Sequence, residues 1–162
     1  MSTGTHPTTI SAPDGTPFLD VTRDFDATPA QLFRASTDPK LVVRWLGPRD
    51  LDMEVVEYDA RPGGSYRYIH RGGHLPQEAA FHGVFHTVDP DRLIVQTFEF
   101  EGAPGEVCLT IHRFSEVDGR TRLHTRSVFP SLEAREAALS SGMEFGIRES
   151  MDRLGEVVAE GV

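Results

Sequence analysis

Residues 18–48 read FLDVTRDFDATPAQLFRASTDPKLVVRWLGP. In the first eight, Leu19, Val21, Arg23 and Phe25 share one phase of a two-residue period, the signature of a strand with one buried face. A helix start follows: Thr28 can accept an amide hydrogen, Pro29 suits the first helical position, and Gln31 sits three residues past the cap. This capping box predicts a short helix over TPAQLFRAS. Asp38 and Pro39 repeat the device for PKLVVRWL, which stops at Gly47 and Pro48. The stretch therefore predicts one strand and then two short helices.

Beyond it lie six strand-like runs: LDMEVVEYDA (51–60), SYRYIHR (65–71), AAFHGVFHTV (79–88), RLIVQTFEF (92–100), EVCLTIHRF (106–114) and RTRLHTRSVF (120–129). Pro62 to Gly64, Gly72 to Pro76, Asp89 to Asp91, Gly102 to Gly105, and Asp118 with Gly119 separate them, as turns of an antiparallel meander. A two-residue turn on Asp118 and Gly119 sets Phe114 opposite Leu123, His112 opposite Thr125, and Thr110 opposite Ser127. Leu109 and Ile111 fall out of phase with Phe114, which predicts a bulge near His112 or a longer turn. Ser131 then caps a long amphipathic helix with apolar positions Leu132, Leu139, Met143, Ile147, Leu154 and Val158, and Met151 at the edge of that face. Its other sides, carrying Glu133, Arg135, Glu136, Glu144, Arg148, Glu149, Asp152, Arg153 and Glu156, are expected in solvent. Gly142, Gly146 and Ser150 form a stripe of small residues, which requires a close approach or leaves room. Phe145 projects about 200° from Met143, onto the charged side, where it could mark a self-association (homodimer) or partner surface.

At 162 residues the chain suits one domain, read as residues 18–160 behind a flexible N-terminal tail of residues 1–17, rich in Thr, Ser, Pro and Gly. A formal charge of −9 disfavours nucleic acid and anionic lipid. Cys108 is the sole cysteine, so no intrachain disulfide forms and a cytoplasmic location is the simplest expectation. No run approaches the length of a membrane span, and the first residues lack the order of a signal peptide.

The strings VTRDFDATPAQLFRASTDPKLVVRWLGP, the RPGG turn before SYRY, FHGVF, DRLIVQTFEFEG and SGMEFGIRESMDRL together resemble the START-like (SRPBCC) superfamily. Within it they are similar to the bacterial branch grouped with homologues of the activator of the heat-shock-protein-90 ATPase. The resemblance spans roughly Phe18 to Val158. It implies an α+β helix-grip fold, as in the birch-pollen allergen: a curved antiparallel sheet wrapped around a long C-terminal helix. It also implies a sheet-helix cavity for apolar or amphipathic small molecules. Two positions depart from similar sequences: His112 stands where an apolar or small residue is usual, and Met151 where tyrosine is frequent.

Catalytic and metal chemistry find little footing. His82 and His86, four apart in a strand, lie about 13 Å from each other, too far to share an ion. His70 and His74 flank a glycine turn but have no third ligand nearby, so no metal and no cofactor is expected. Cys108 lacks an adjacent base and reads as a small buried hydrophobe. No nucleophile elbow, phosphate loop or dinucleotide fingerprint occurs, so no catalytic residue is assigned.

The candidate site is therefore a pocket. Tyr66 and Tyr68 share one face of their strand, Phe81 and Phe85 one face of the next, and His112, Thr125 and Ser127 join them on the last hairpin. Met143 and Ile147 face them from the helix, with Trp45 near the mouth. The competing reading is that these aromatics only fill the core. The leading function is non-catalytic binding of a hydrophobic small molecule. A chaperone-ATPase activator is the second reading, although full-length activators carry a partner-binding half beyond one such domain. The third, from similar folds, is a polyketide cyclase or aromatase, or a protein that is sacrificed to a reactive antibiotic.

Overall fold

The structure, a computed structural model, describes residues 6–162. After a short strand β1 (Thr9–Ser11) come β2 (Phe18–Phe25), the helices α1 (Pro29–Thr37) and α2 (Pro39–Val42), and the strands β3 (Asp52–Tyr58), β4 (Ser65–Arg71), β5 (Ala79–Asp89), β6 (Leu93–Phe100), β7 (Cys108–Val117) and β8 (Arg120–Val128). Two helices close the chain, α3 (Leu132–Ser140) and α4 (Met143–Val158). The strands form one curved antiparallel sheet in the order β1-β2-β8-β7-β6-β5-β4-β3. Among the described residues, no helix is long and apolar enough to cross a membrane.

Local chemistry accounts for most boundaries. The Thr28 hydroxyl accepts from the Gln31 amide at 3.1 Å, and the Gln31 side chain accepts from the Thr28 amide at 2.9 Å. Asp38 caps α2 through the Lys40 amide, and Ser131 caps α3 through the Ala134 amide. Asp118 and Gly119 both have positive φ, 51° and 78°, as a tight hairpin matching the strand twist requires. The predicted pairs Phe114–Leu123, His112–Thr125 and Thr110–Ser127 all form.

Three features differ from the sequence reading. No register shift interrupts the β7–β8 pairing, so there is no bulge at His112. Instead Leu109 points outward, 40% exposed, while Cys108, Thr110, His112 and Phe114 share the inward phase. The second difference concerns residues 132–158, which form two helices, not one. Gly142 adopts φ +89°, a left-handed conformation that ends α3 and redirects the chain into α4. The break re-aims α3: Leu132 is exposed, and Arg135, expected in solvent, is buried, with Nη1 donating to the carbonyls of Pro13, Thr16 and Phe18. The third lies in the N-terminal stretch read as a loose tail, where Thr9–Ser11 pairs with Thr22 to Asp20 of β2. Residues 1–5 of that stretch lie outside the described residues.

The small-residue stripe on α4 has a partner. The turn after α2 lies against it, with Pro48 beside Gly146 and the Gly47 amide donating to Ser150 Oγ at 2.7 Å. Arg153 donates to the carbonyls of Gly47 and Arg44, and Glu149 accepts from the Arg49 amide. Gly47 itself has φ +97°, and a Cβ there would lie 2.7 Å from the His70 ring, so only glycine fits. Ser150→Ala removes the hydroxyl that accepts from the buried Gly47 amide. We expect a loss of about 1–3 kcal/mol, measurable by urea denaturation, with Ser150→Thr restoring part of it. An unchanged midpoint for the alanine variant would show that water replaces the hydroxyl.

Candidate functional site

The sheet register places the inward side chains in rows. Phe85, Gln96, Thr110, Ser127 and Leu19 are successive partners across β5, β6, β7, β8 and β2. One step along the strands, about 7 Å away, Ile94, His112, Thr125 and Val21 form the next row. Five neutral polar groups therefore sit side by side on the inner face: Gln96, Thr110, Ser127, His112 and Thr125. Each is half-buried, whereas Ile94, Phe85, Leu19 and Val21 at the ends of the rows are buried.

The apolar core divides around this patch. One cluster gathers Phe25, Leu32, Trp45, Tyr66, Tyr68, Phe85, Ile94, Phe114, Leu123, Leu154, Val157 and Val158. The other holds Leu19, Cys108 and Phe129, with Leu139, Met143 and Ile147 of the helical elbow packed on it. Phe98 touches both. Tyr68 and Ile147, expected to face each other across the pocket, thus belong to different clusters.

Of the residues singled out in the sequence, Tyr66, Tyr68 and Phe85 are buried and form an aromatic run with Phe81 and Tyr58. Phe81 stacks on Tyr68 and Phe98 and remains half-buried. Trp45, expected at a mouth, is buried in the first cluster, where its indole N–H donates to the Ala35 carbonyl at 2.9 Å. Met143 and Ile147 are half-buried on α4, as is Met151. Gln96 was missed, although its phase with Ile94 and Phe98 on RLIVQTFEF marks it as inward.

Electrostatically the patch is quiet. His112 Nδ1 lies 2.9 Å from Thr125 Oγ1, and burial pushes the imidazole down to about 4, so the ring is neutral near pH 7. With Nδ1 committed to Thr125, Nε2 is left for another partner. The Tyr66 hydroxyl donates to the Thr97 carbonyl at 2.6 Å, and burial raises the pKa of Tyr58, Tyr66 and Tyr68. Arg23 is the inner-face exception: its Nη1 donates to Asp152 on α4 at 2.8 Å, and its guanidinium lies 5.0 Å from the Phe25 ring centroid. A shallow groove of about 200 Å³ is lined by His6, Pro7, Thr9, Thr22, Arg23, Asp24 and Arg122, a charged lining unsuited to an apolar guest.

A sequence profile of the Activator of Hsp90 ATPase homolog 1-like proteins matches residues 26–159. The chain belongs to that family. Solved structures agree on the fold. Protein Ms6760 from Mycobacterium smegmatis superposes with a TM-score of 0.85 at 24% identity, covering 93% of this chain and 96% of that one. A Rhodobacter sphaeroides protein gives 0.85 at 25% identity, covering 95% and 99%, and the AHSA1 protein from Silicibacter pomeroyi gives 0.73 at 21%, covering 90% and 99%. A comparison with curated proteins finds no match. The helix-grip architecture read from the sequence is thus the family's fold.

In this member of the Activator of Hsp90 ATPase homolog 1-like family, Cys108 is buried in the second cluster, and burial pushes its thiol up to about 11. The thiolate is the reactive form, so a disulfide reagent at pH 7.5 should label Cys108 only slowly in the folded protein and at least a hundredfold faster in denaturant. Rapid labelling without denaturant would place the thiol in reach of solvent and sink this assignment.

Proposed function

We propose that the protein binds a hydrophobic or amphipathic small molecule between the sheet and α4, without catalysing a reaction. One observation carries this reading: five polar side chains at the centre of the inner face stay half-buried between two apolar clusters. Side chains that retain accessible surface so deep in a domain border a gap that water or a guest can enter. Filling it with an apolar body removes surface from water at about 25 cal/mol per Å², before ordering costs. Phe81, Phe98, Met143, Ile147 and Met151 supply apolar walls, and the hydroxyls, amide and imidazole orient a polar end.

A catalytic role has less support. An imidazole with pKa about 4 is a weak proton acceptor at neutral pH, and no carboxylate accompanies it in either row. Replacing His112 with alanine separates the cases: an enzyme would lose turnover with binding retained, whereas a binding protein would change only in affinity.

The binding test is direct. Protein purified under native conditions is extracted and analysed by mass spectrometry, and apolar compounds are screened by thermal shift. A true ligand at a hundred times its Kd stabilises by about 2.7 kcal/mol, a Tm rise of about 5–10 °C. Failure of every extract and every compound would count against the reading. Activation of a chaperone ATPase is the second reading, supported by membership of the family. Increased ATPase turnover on adding the protein to the chaperone, with no ligand bound, would favour it.

A further inference from the structure

We propose that the inner-face site selects uncharged guests: amphipathic molecules ending in a hydroxyl, carbonyl or ether, and not in a carboxylate, sulfonate or ammonium. This inference rests on the small-molecule reading above and specifies its ligand class.

The argument is one of charge placement. Gln96, Thr110, Ser127, His112 and Thr125 offer an amide, three hydroxyls and an imidazole, and none carries a charge near pH 7. Most ionised groups of the same strands lie on the other side of the sheet, and several are paired there. Asp20 holds Arg126 and Asp24 holds Arg122 between β2 and β8, and Glu101 holds Arg67 beyond β6. From α4, Glu144 pairs with Arg148 in solvent, and Glu149 is taken by the Arg49 amide. Among the Arg and Lys residues of the described strands, Arg23 is the one in the inward phase. Its side chain is 1% exposed and already engaged by Asp152 and the Phe25 ring, so it has no open face for a guest anion.

A charged head entering this patch would give up its water without meeting an opposite charge. A neutral head loses far less and finds matched partners. Gln96 donates and accepts, the hydroxyls do both, and His112 Nε2 supplies one more site. The apolar walls are indifferent to the choice, so the head group decides affinity.

Three probes built on a straight ten-carbon chain test this by displacement of the neutral fluorophore N-phenyl-1-naphthylamine at pH 7.5, below their micelle concentrations. Decan-1-ol should displace it at a concentration at least tenfold lower than either decanoate or decyltrimethylammonium. Displacement by either ion within threefold of the alcohol would overturn the charge selection while leaving small-molecule binding intact. If the fluorophore does not bind, or no probe displaces it, the binding reading fails and this inference fails with it.

Discussion

Gly83→Ala should destabilise the protein by about 3 kcal/mol, at the severe end for a single added methyl group. The residue is the centre of FHGVF, and its inner face is roofed by an aromatic ring. Tyr66, its cross-strand partner on β4, reaches over β5 so that the phenol can donate to the Thr97 carbonyl on β6. A Cβ at position 83 would stand 2.0 Å from that carbonyl oxygen and 2.7 Å from Tyr66 Cε1. The Thr97 oxygen belongs to a paired strand and cannot retreat alone, so either the β5–β6 ladder opens or the tyrosine leaves its partner. Equilibrium denaturation measures the loss. The double variant Gly83→Ala with Tyr66→Phe distinguishes the causes, because it keeps the ring but frees it from the Thr97 carbonyl, so that the ring can swing aside while the carbonyl clash stays. A wild-type midpoint in the single variant would refute the crowding argument.

The second large effect is on acid stability. His112 in the folded state takes its proton near pH 4, whereas the unfolded chain takes it near 6.5. Below pH 6.5 the unfolded state therefore binds more protons than the folded one, and stability falls with falling pH until both are protonated below about 4. The full loss approaches about 3 kcal/mol, a ceiling reduced by whatever solvent reaches the ring. His70, whose pKa is lowered chiefly by burial, adds to the decline in the same direction. The carboxylates act lower down: the Arg67 hydrogen bond holds Glu101 at about 2, so its contribution disappears below the ordinary glutamate range. Urea midpoints between pH 7.5 and 4 should fall steeply for the native chain and more gently for His112→Gln. An NMR titration of the His112 ring with a midpoint near 6.5 would show a solvated imidazole and end the argument.

Much of the architecture was legible in the chain. The capping box at Thr28, the cap at Asp38 and the Asp118–Gly119 turn act within a few residues, and each has the predicted geometry. The β7–β8 register followed from the turn alone, because a two-residue loop leaves no slack. Gln96 and Arg23 carry the signal of a polar residue in an apolar phase, which the sequence reading did not use, and the structure turns both toward the interior. Where the reading failed, the competing signals were equal locally. The pattern of residues 132–158 satisfies one helix as well as two, and Gly142 could have been a tolerated helical glycine as readily as a left-handed break.

The sequence by itself determined the order of most elements, the caps, the tight turn and the inward phase of most strands, because these depend on backbone preferences and side-chain alternation over short spans. Only the tertiary structure decided that Arg135 is buried on carbonyls more than a hundred residues away, that the small stripe on α4 receives the Gly47–Pro48 turn, and that Tyr68 and Ile147 fall into separate clusters. Those outcomes rest on which distant surfaces meet, and contact between remote segments leaves no periodic trace along the chain.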